Sequence, residues 1–235
     1  NKVTVFDGAA KLAGAGKAGS ILLTGGQRYD LQIEYYDRLD AASAKLEWTS
    51  ASQLREIVPS GVLFPNTAPA PSAAGDRAIL AGQTLAVTNT ATDADVPSQT
   101  LSFSLVHPPS GAAIDPNTGV FTWRPTIAQS PATYPIQWVV TDNGRPSLSA
   151  TQAFDVAVLR PAAPVASDAL WRDGQFEMRV SGSAGPDYAI YACTNLFEPA
   201  WSWIASTNPA SLPFLFIDPQ SSNAPERYYR IQLQP

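Results

Sequence analysis

The chain has 235 residues, of which 45% are hydrophobic and 15% charged, and its formal net charge is −5. This apolar fraction suffices for packed cores and excludes a disordered chain, while the acidic balance and the dispersed Lys and Arg residues argue against nucleic-acid binding. No run of about 18 apolar residues is present, so the sequence predicts no membrane-spanning helix.

Twenty-one prolines and fifteen glycines are spread along the chain and bound short segments rich in β-branched and aromatic residues. Such spacing interrupts helices and is typical of short strands joined by turns. The sequence therefore predicts an all-β fold of small β-sandwich modules in tandem. The predicted modules are 1–65, 77–160 and 161–235, and the Pro- and Ala-rich segment 66–76 is predicted to be a semi-rigid spacer.

In the first module, apolar and polar side chains alternate through Tyr29–Tyr36 and Lys45–Thr49, which predicts strands with one buried face. Five motifs follow one another in this module: Phe6-Asp7-Gly8, Leu23 to Tyr29, Ile33 to Asp37, Lys45 to Trp48 and Ile57-Val58-Pro59. Their order and spacing resemble the C-terminal half of the protective-antigen-type domain, a β-sandwich of a bacterial toxin component, many glycosidases and fungal adhesins.

The resemblance covers only half of that domain. Half a sandwich buries little apolar surface, and an open sheet edge favours pairing with another strand. We therefore expect the remaining strands to come from residues upstream in a longer protein, or from a partner chain at this sheet edge. Sugar-binding members of the family hold calcium through an aspartate pair in the other half, so the resemblance implies no metal ligand here.

The second module is predicted to contain five strands, at Thr84–Ala91, Leu101–Val106, Val120–Trp123, Tyr134–Thr141 and Thr151–Leu159. Short strands at regular spacing are typical of an immunoglobulin-like sandwich. The motifs in this module are Gly82 to Leu85, Ala91 to Asp95, Leu101 to Leu105, Ile114 to Gly119, Phe121 to Pro125 and Val140 to Gly144. Their order resembles the cadherin-like and immunoglobulin-type repeats of bacterial surface proteins, and it covers nearly the whole module.

The third module is predicted to contain five strands, at Phe176–Val180, Tyr188–Ala192, Trp201–Ala205, Phe214–Ile217 and Tyr228–Leu233. The motifs in this module are Gly182 to Tyr188, Thr194-Asn195-Leu196, Trp201, Pro213-Phe214, Ile217-Asp218 and Arg227 to Arg230. They resemble a small C-terminal β-module of large secreted bacterial proteins. That family has no firmly defined activity, so the resemblance implies a fold and no reaction.

The chain offers few groups for catalysis. His107 is the only histidine and precedes Pro108-Pro109, which predicts an exposed turn. Nucleophilic catalysis requires a nucleophile beside a base, and no nucleophile elbow or second histidine is present. The acidic residues lie mostly in predicted turns, where carboxylates usually bond their own backbone. The sequence therefore predicts no catalytic residue and no certain cofactor.

Calcium is the one metal for which the sequence offers candidate ligands. Asp93 and Asp95 are separated by one residue, so an extended backbone directs both carboxylates to the same side. The cadherin-like resemblance implies that Asp142, which follows a predicted strand, lies near them. Three hard oxygen donors form the start of a calcium site. Two interpretations stay open, a calcium site at these residues or a set of turn-capping aspartates.

Six tryptophans are candidates for a core or for an exposed surface that stacks on sugar rings. Trp48, Trp123 and Trp138 lie in predicted strands, where large aromatic residues are usually buried. Trp201 and Trp203 alternate and should share a face of one strand, and Trp171 lies near a predicted linker. The candidate contact residues for carbohydrate or a protein partner are Trp171, Trp201 and Trp203.

Taken together, these patterns predict a non-catalytic accessory, spacer or adhesion region of a larger secreted or cell-surface bacterial protein. Its expected location is extracellular, on the cell surface or in the periplasm, and its expected contacts are carbohydrate or partner proteins. Two alternatives stay open. One is a structural subunit whose partner completes the N-terminal sheet, and the other is the C-terminal tail of a secreted glycan-degrading enzyme.

Overall fold

A computed structural model describes residues 2–3, 21–22, 24, 46–223 and 225–234 of the chain. Within these residues it contains strands and three short 3₁₀ segments, Ser60–Val62, Ile127–Gln129 and Ser221–Asn223. The strands in chain order are β1 (Lys2–Val3), β2 (Ile21–Leu22), β3 (Glu47–Ser50), β4 (Gln53–Ile57), β5 (Ala70–Pro71), β6 (Arg77–Leu80), β7 (Leu85–Thr88), β8 (Ala91–Thr92), β9 (Ser102–Val106), β10 (Ala113–Ile114), β11 (Val120–Trp123), β12 (Ala132–Thr141), β13 (Ser149–Leu159), β14 (Val165–Arg172), β15 (Gln175–Ser181), β16 (Asp187–Cys193), β17 (Ser202–Thr207), β18 (Phe214–Asp218) and β19 (Tyr228–Gln234). No helix in this part of the chain is long and apolar enough to cross a membrane.

The chain divides into two compact units. The first unit comprises Asn1–Ala68 together with the loops Asp93–Thr100 and Asn143–Leu148. The second unit comprises Pro69–Thr92, Leu101–Asp142 and Ser149–Pro235, and it holds two β-sandwiches. The all-β architecture of tandem sandwiches predicted from the sequence is thereby confirmed.

In the first unit, β1 pairs with β2 and β3 pairs with β4, both antiparallel. The β3–β4 hairpin carries an ion pair of 2.7 Å between Arg55 and Glu47, and Trp48 donates a hydrogen bond to Glu56. Trp48 is half-buried there. Most motifs of the protective-antigen-type resemblance, from Phe6-Asp7-Gly8 to Ile33–Asp37, lie outside the described residues. The predicted pairing of this sheet edge with a partner stays a prediction.

The middle sandwich, formed by β5 to β13, has a four-stranded sheet in the order β6-β13-β12-β9 and a three-stranded sheet in the order β10-β11-β7. Its longest hairpin, β12–β13, runs in register from Ala132 opposite Val158 to Thr141 opposite Ser149. Alternate residues of both strands point inward, so the period-two pattern of the sequence becomes a buried row. The buried side chains of β12 and β13 are Ile136, Trp138, Val140, Phe154, Val156 and Val158.

Two tryptophans lie at the centre of the middle sandwich. Trp138 is fully buried and packs against Phe103, with ring centroids 5.8 Å apart. Trp123 is 1% exposed, packs edge-on against Tyr134, and donates its indole N–H to the carbonyl of Ser110. Burying an indole whose N–H is satisfied, as in Trp123, retains the apolar gain of the ring. The buried Nε1 of Trp138 has no hydrogen-bond partner among the described residues. The core prediction for Trp123 and Trp138 is confirmed.

The turn between β10 and β11 shows how an aspartate caps its own backbone. One carboxylate oxygen of Asp115 accepts hydrogen bonds from the backbone N–H groups of Asn117 and Thr118, each at 2.9 Å. These donors favour the charged form and hold the pKa of Asp115 below its usual value. The turn fixes the hairpin that follows, and its geometry is the turn-capping role predicted for acidic residues in such segments.

The structure adds four strands to those predicted for the middle sandwich, β5, β6, β8 and β10, because the predicted strand Thr84–Ala91 ends where β8 begins. β6 lies at an edge of the four-stranded sheet and pairs in parallel with β13. β5 pairs with β8, although its residues Ala70 and Pro71 fall inside the predicted spacer 66–76. Such edge pairings are two to four residues long, too short for the alternation of one segment to reveal them. The module boundaries themselves stay predictions.

The C-terminal sandwich, formed by β14 to β19, has two three-stranded sheets in the orders β14-β15-β18 and β17-β16-β19. The residues buried between these sheets are Met178, Val180, Tyr188, Ile190 and Phe216. Its five predicted strands correspond to β15 through β19, and β14 was missed. A tight turn joins β14 to β15 with positive φ at both Asp173 and Gly174. The Asp-Gly pair is the hairpin signal that could have revealed this strand.

The junction between the middle and C-terminal sandwiches centres on Arg124, which directly follows β11. Its guanidinium donates hydrogen bonds to the carbonyl of Gly82 at 2.7 Å and to that of Gly185 at 3.1 Å. It also forms an ion pair with Asp187 at 2.9 Å, and Asn208 donates a further hydrogen bond to the same carboxylate. One side chain therefore joins the backbones of both sandwiches.

Close backbone packing accompanies this ion pair. Gly82 has φ of +87°, and a Cβ built there would lie 2.6 Å from the Cα of Pro186. Pro186 is fully buried. Gln83 donates a hydrogen bond to the carbonyl of Ala184 beside it. Only a glycine permits both this backbone conformation and this contact, so the junction depends on the residue type at position 82.

We predict that Gly82→Ala destabilises the protein by about 1–3 kcal/mol more than Gly174→Ala does. Both glycines have positive φ, so both substitutions carry similar backbone strain, but a Cβ at Gly174 meets nothing within 4 Å. The difference isolates the contact with Pro186. Urea unfolding of both variants measures it, and equal losses would mean that the junction is not tightly packed.

We predict that the ion pair of Asp187 makes a contribution to stability that is lost in acid. The hydrogen bond from Arg124 holds the pKa of Asp187 below its usual value. Its contribution is therefore complete above the unfolded-state pKa of about 3.9 and disappears as the pH falls through the lower folded-state pKa. Asp187→Asn should cost about 1–2 kcal/mol at pH 6 and progressively less below pH 4.

The matched control for this pH series is Asp168→Asn, because the Asp168 side chain is 65% exposed and lies 3.7 Å from Arg179. It should change the free energy of unfolding little at any pH. A cost of Asp187→Asn that stays constant from pH 6 to pH 2.5 would contradict the predicted role of the charge.

Candidate functional site

The outer face of the β17-β16-β19 sheet carries a row of side chains across its three strands. Tyr191 in the central strand pairs with Trp203 on one side and with Arg230 on the other. Directly paired residues of neighbouring strands project to the same face of a sheet. Their strand neighbours Tyr188 and Ile190 are buried in the core on the opposite face. We name Tyr191, Trp203 and Arg230, together with Trp201, the aromatic face.

Arg230 is held in place by two aromatic rings. Its guanidinium carbon lies 5.1 Å from the ring centroid of Tyr191 and 4.8 Å from that of Trp201. The side chain therefore reaches from β19 over the central strand toward the start of β17. Each cation–π contact at an exposed site is worth about 0.5–1 kcal/mol, enough to restrict the arginine to this position. Gln234 donates a hydrogen bond of 3.2 Å to the hydroxyl of Tyr191, which fixes the phenol as well.

The structure separates the three tryptophans that were predicted to contact a ligand. Trp201 and Trp203 lie on the aromatic face, where Trp203 is 61% exposed and Trp201 is half-buried. Trp171 is 60% exposed but lies in β14, a strand of the other sheet. Sequence reasoning missed Tyr191 and Arg230. The alternation around Arg230 in β19 indicates an outward side chain, but no local signal shows that it crosses to Trp201.

A second arginine of the same strand region has a different role. Arg227 lies 2.7 Å from the buried carboxylate of Asp218, which also accepts a hydrogen bond from the hydroxyl of Tyr229. Burial and the neighbouring Asp218 raise the pKa of Tyr229 far above its usual value, so it stays protonated at any ordinary pH. In this half-buried cluster the charges of Arg227 and Asp218 pair with each other. Its contribution is structural.

The two candidate calcium ligands of the first unit lie in a loop with dense hydrogen bonding. Asp95 accepts hydrogen bonds from the backbone N–H and the hydroxyl of Thr67, at 2.8 and 3.0 Å. The backbone N–H of Asp95 donates to one carboxylate oxygen of Asp93 at 2.9 Å. The aspartates thus fasten the loop to the segment that precedes β5, within the same unit.

Amide side chains continue this network. Gln99 donates hydrogen bonds to Asp95 and to the side-chain oxygen of Asn66. Asn66 in turn donates to the carbonyl of Pro146, and the backbone N–H of Thr100 donates to Asn143. Three segments distant in sequence are held together by these polar groups.

Two oxygen atoms of this network lack a partner. Asp93 Oδ2 and Gln99 Oε1 are buried and accept no hydrogen bond from the described residues. A buried carboxylate oxygen without a donor costs free energy, and a hard cation such as Ca²⁺ prefers these oxygen ligands. Each of these two oxygens is free to accept a hydrogen-bond donor, a water molecule or a cation.

The third predicted ligand, Asp142, is 4% exposed and follows the last residue of β12. In the part of the chain that the structure describes, no group of three or more His, Cys, Asp or Glu side chains is arranged to hold a metal. A calcium ion here would rely on amide and backbone oxygens besides carboxylates. The set Asp93, Asp95 and Asp142 stays a prediction.

His107 lies in an exposed turn, as the sequence predicted. Its φ is +46°, and it precedes Pro108 after the end of β9. No hydrogen bond or ion pair of its side chain to the described residues is present.

Comparison with known proteins assigns one part of the chain to a family. Residues 65–159 match the model of the family described as "Putative Ig domain". The chain contains an immunoglobulin-like domain. This match coincides with the middle sandwich and covers less than half of the chain. The description of this family names no enzymatic activity.

One curated protein is similar over a short stretch. It is the anti-sigma-I factor RsgI3 of Acetivibrio thermocellus, which is 51% identical over 51 residues. The alignment covers 22% of this chain and 8% of that protein, so it concerns one small part of both. The protective-antigen-type resemblance of the first module is not confirmed by these comparisons.

Among solved structures, protocadherin Gamma C5 EC1-3 is 21% identical, covering 39% of this chain and 33% of that chain with a TM-score of 0.32. Human CDH23 EC21-23 is 18% identical, covering 52% and 45% with a TM-score of 0.36. The N-terminal eight Ig domains of DSCAM are 18% identical, covering 67% and 23% with a TM-score of 0.32. This chain therefore spans less than half of each of these chains.

Proposed function

We propose that this chain is a non-catalytic, extracellular accessory region in which the immunoglobulin-like and C-terminal sandwiches form one stiff spacer. The observation that carries the proposal is the junction at Arg124. A single guanidinium bonds to Gly82 in one sandwich and to Gly185 and Asp187 in the other. Modules joined by a flexible linker lack such bonds and reorient freely.

Three features of the junction support stiffness. The ion pair is partly shielded from solvent, since the side chains of Arg124 and Asp187 are 34% and 27% exposed. Charge-assisted bonds of this kind are stronger than neutral ones and restrict the angle between their partners. The backbone contact of Gly82 with Pro186 blocks the sliding that an ion pair alone would permit. A spacer with these properties holds attached domains at a fixed distance.

The junction can be tested by pulsed electron paramagnetic resonance on the full chain. Spin labels at Ser104→Cys in β9 and Ser206→Cys in β17 report the distance between the sandwiches, since both positions are exposed. Cys193 is buried and is replaced by alanine in the background. We expect one narrow distance distribution, which broadens in Arg124→Ala because the bonds to Gly185 and Asp187 are lost.

Arg179→Ala is the matched control, because Arg179 is 54% exposed and lies 3.7 Å from Asp168 at its nearest. It should leave the distribution narrow. A broad distribution in the unmodified junction would show two independently moving sandwiches and would contradict the stiff-spacer proposal.

A second proposal concerns calcium, because two buried oxygens of the first unit have no partner. We propose that Asp93 and Asp95 of this unit bind one Ca²⁺ ion together with Gln99. The role of Asp142 stays a prediction from the sequence. The unpartnered Asp93 Oδ2 and Gln99 Oε1 support it. Binding would replace the missing donors by a cation and stabilise the loops that the network of Asn66 and Thr67 already holds.

We predict that saturating Ca²⁺ raises the melting temperature of the full chain by several degrees relative to chelator, since ligand at 100 times its Kd adds about 2.7 kcal/mol. Asp93→Asn should abolish this rise. In chelator the same substitution should raise the melting temperature, because it removes an uncompensated buried charge. Differential scanning calorimetry measures both effects.

Asp115→Asn serves as the control, because backbone donors already satisfy its carboxylate. It should leave the calcium response intact. An unmodified protein that melts at the same temperature in calcium and in chelator would remove the metal and leave Asp93 and Asp95 as turn-capping residues.

A further inference from the structure

We propose that the aromatic face of Tyr191, Trp201, Trp203 and Arg230 binds an acidic polysaccharide whose sugar rings carry carboxylate groups. This inference rests on the proposed extracellular accessory role and adds to it a binding surface and a ligand class. Its test does not involve the junction at Arg124. A negative result in the binding test therefore leaves the stiff-spacer proposal unaffected, and a flexible junction leaves the binding proposal unaffected.

The first step of the argument is the exposure of a large ring on a flat sheet. Trp203 is the second residue of β17, and 61% of its surface is exposed. Its strand neighbour across the sheet, Tyr191, is half-buried and lies in the same row. An exposed indole beside a phenol offers a planar apolar surface with polar edges, which matches the apolar face and hydroxyl rim of a pyranose ring.

The second step is that the charge of Arg230 is not paired with a carboxylate of the described residues. No hydrogen bond or ion pair links its guanidinium to any described residue. The guanidinium instead makes cation–π contacts with the rings of Tyr191 and Trp201. A guanidinium presents five N–H donors in a planar fork that matches a carboxylate. Arg227, three residues earlier, differs because it is paired with Asp218.

The third step is preorganisation. Because the two rings already hold Arg230 above the central strand, little side-chain freedom remains to be lost when an anion binds. The next row on the same face contains Ser206 and Gln232, which pair with Ala189 from either side and are exposed. Their hydroxyl and amide groups lie beside the aromatic row and are suited to sugar hydroxyls.

The charge of the face decides among possible ligands. Nucleic-acid affinity comes mainly from many phosphate contacts, whereas this face offers a single guanidinium beside its stacking surface, which suits one carboxylate on one bound sugar. A neutral glycan would stack on Trp203 and leave the guanidinium without an acceptor. A sugar ring that carries a carboxylate stacks on Trp203 and also pairs with the guanidinium of Arg230. A uronic acid chain therefore fits this face best.

The test is native affinity electrophoresis of the full chain in gels containing polygalacturonate or the same polymer fully methyl-esterified. The two polymers share one backbone and differ in the carboxylate charge. We expect strong retardation by polygalacturonate and at least tenfold weaker binding to the ester. Arg230→Gln and Trp203→Ala should each weaken binding to polygalacturonate at least tenfold, with unchanged melting temperatures as the check on folding.

Trp171→Ala is the matched control, because Trp171 is 60% exposed but lies in the other sheet. It should leave the retardation unchanged. Absence of retardation, equal retardation by the ester, or equal losses from Trp171→Ala and Trp203→Ala would each overturn the proposal. The ester result would point to a neutral glycan, and equal losses would point to nonspecific adsorption through exposed rings.

Discussion

The guanidinium of Arg124 bonds to backbone and carboxylate groups of two sandwiches at once, and the arrangement of the second unit depends on it. Each sandwich has its own hydrophobic core and could fold around it. Neither core by itself holds one sandwich in a fixed orientation relative to the other. The ion pair with Asp187 and the contact of Gly82 with Pro186 join the two sandwiches, and the stiff-spacer proposal rests on these contacts.

The C-terminal sandwich shows how a local irregularity produces a surface. A register shift between Ile190 and Tyr191 inserts one extra residue in β17, so that Tyr191 faces Trp203 and not Ile204. A bulge of this kind re-aims the side chains that follow it. Without it, the alternation of β17 would place Trp203 toward the core. The bulge thereby sets an exposed aromatic row opposite the strand that carries Arg230.

The first unit contains a loop in which two buried oxygen atoms remain without partners. Hydrogen bonds satisfy most of the network around Asp95 and Asn66, and they hold three distant segments together. Asp93 and Gln99 each retain one unpartnered buried oxygen. Native structures contain few such atoms, and each calls for a donor, a water molecule or an ion. The loop is therefore held by many hydrogen bonds, but two of its buried oxygen atoms lack a hydrogen-bond donor.

The sequence by itself determined the all-β class, the core positions of Trp123 and Trp138 and the segments of the longer strands, because period-two alternation acts within one segment. It also placed Trp201 and Trp203 on one face. Only the tertiary structure revealed the edge strands, the approach of Arg230 to Trp201 and the junction at Arg124. These features depend on the register between strands that are distant in sequence, and no local pattern of side chains encodes that register.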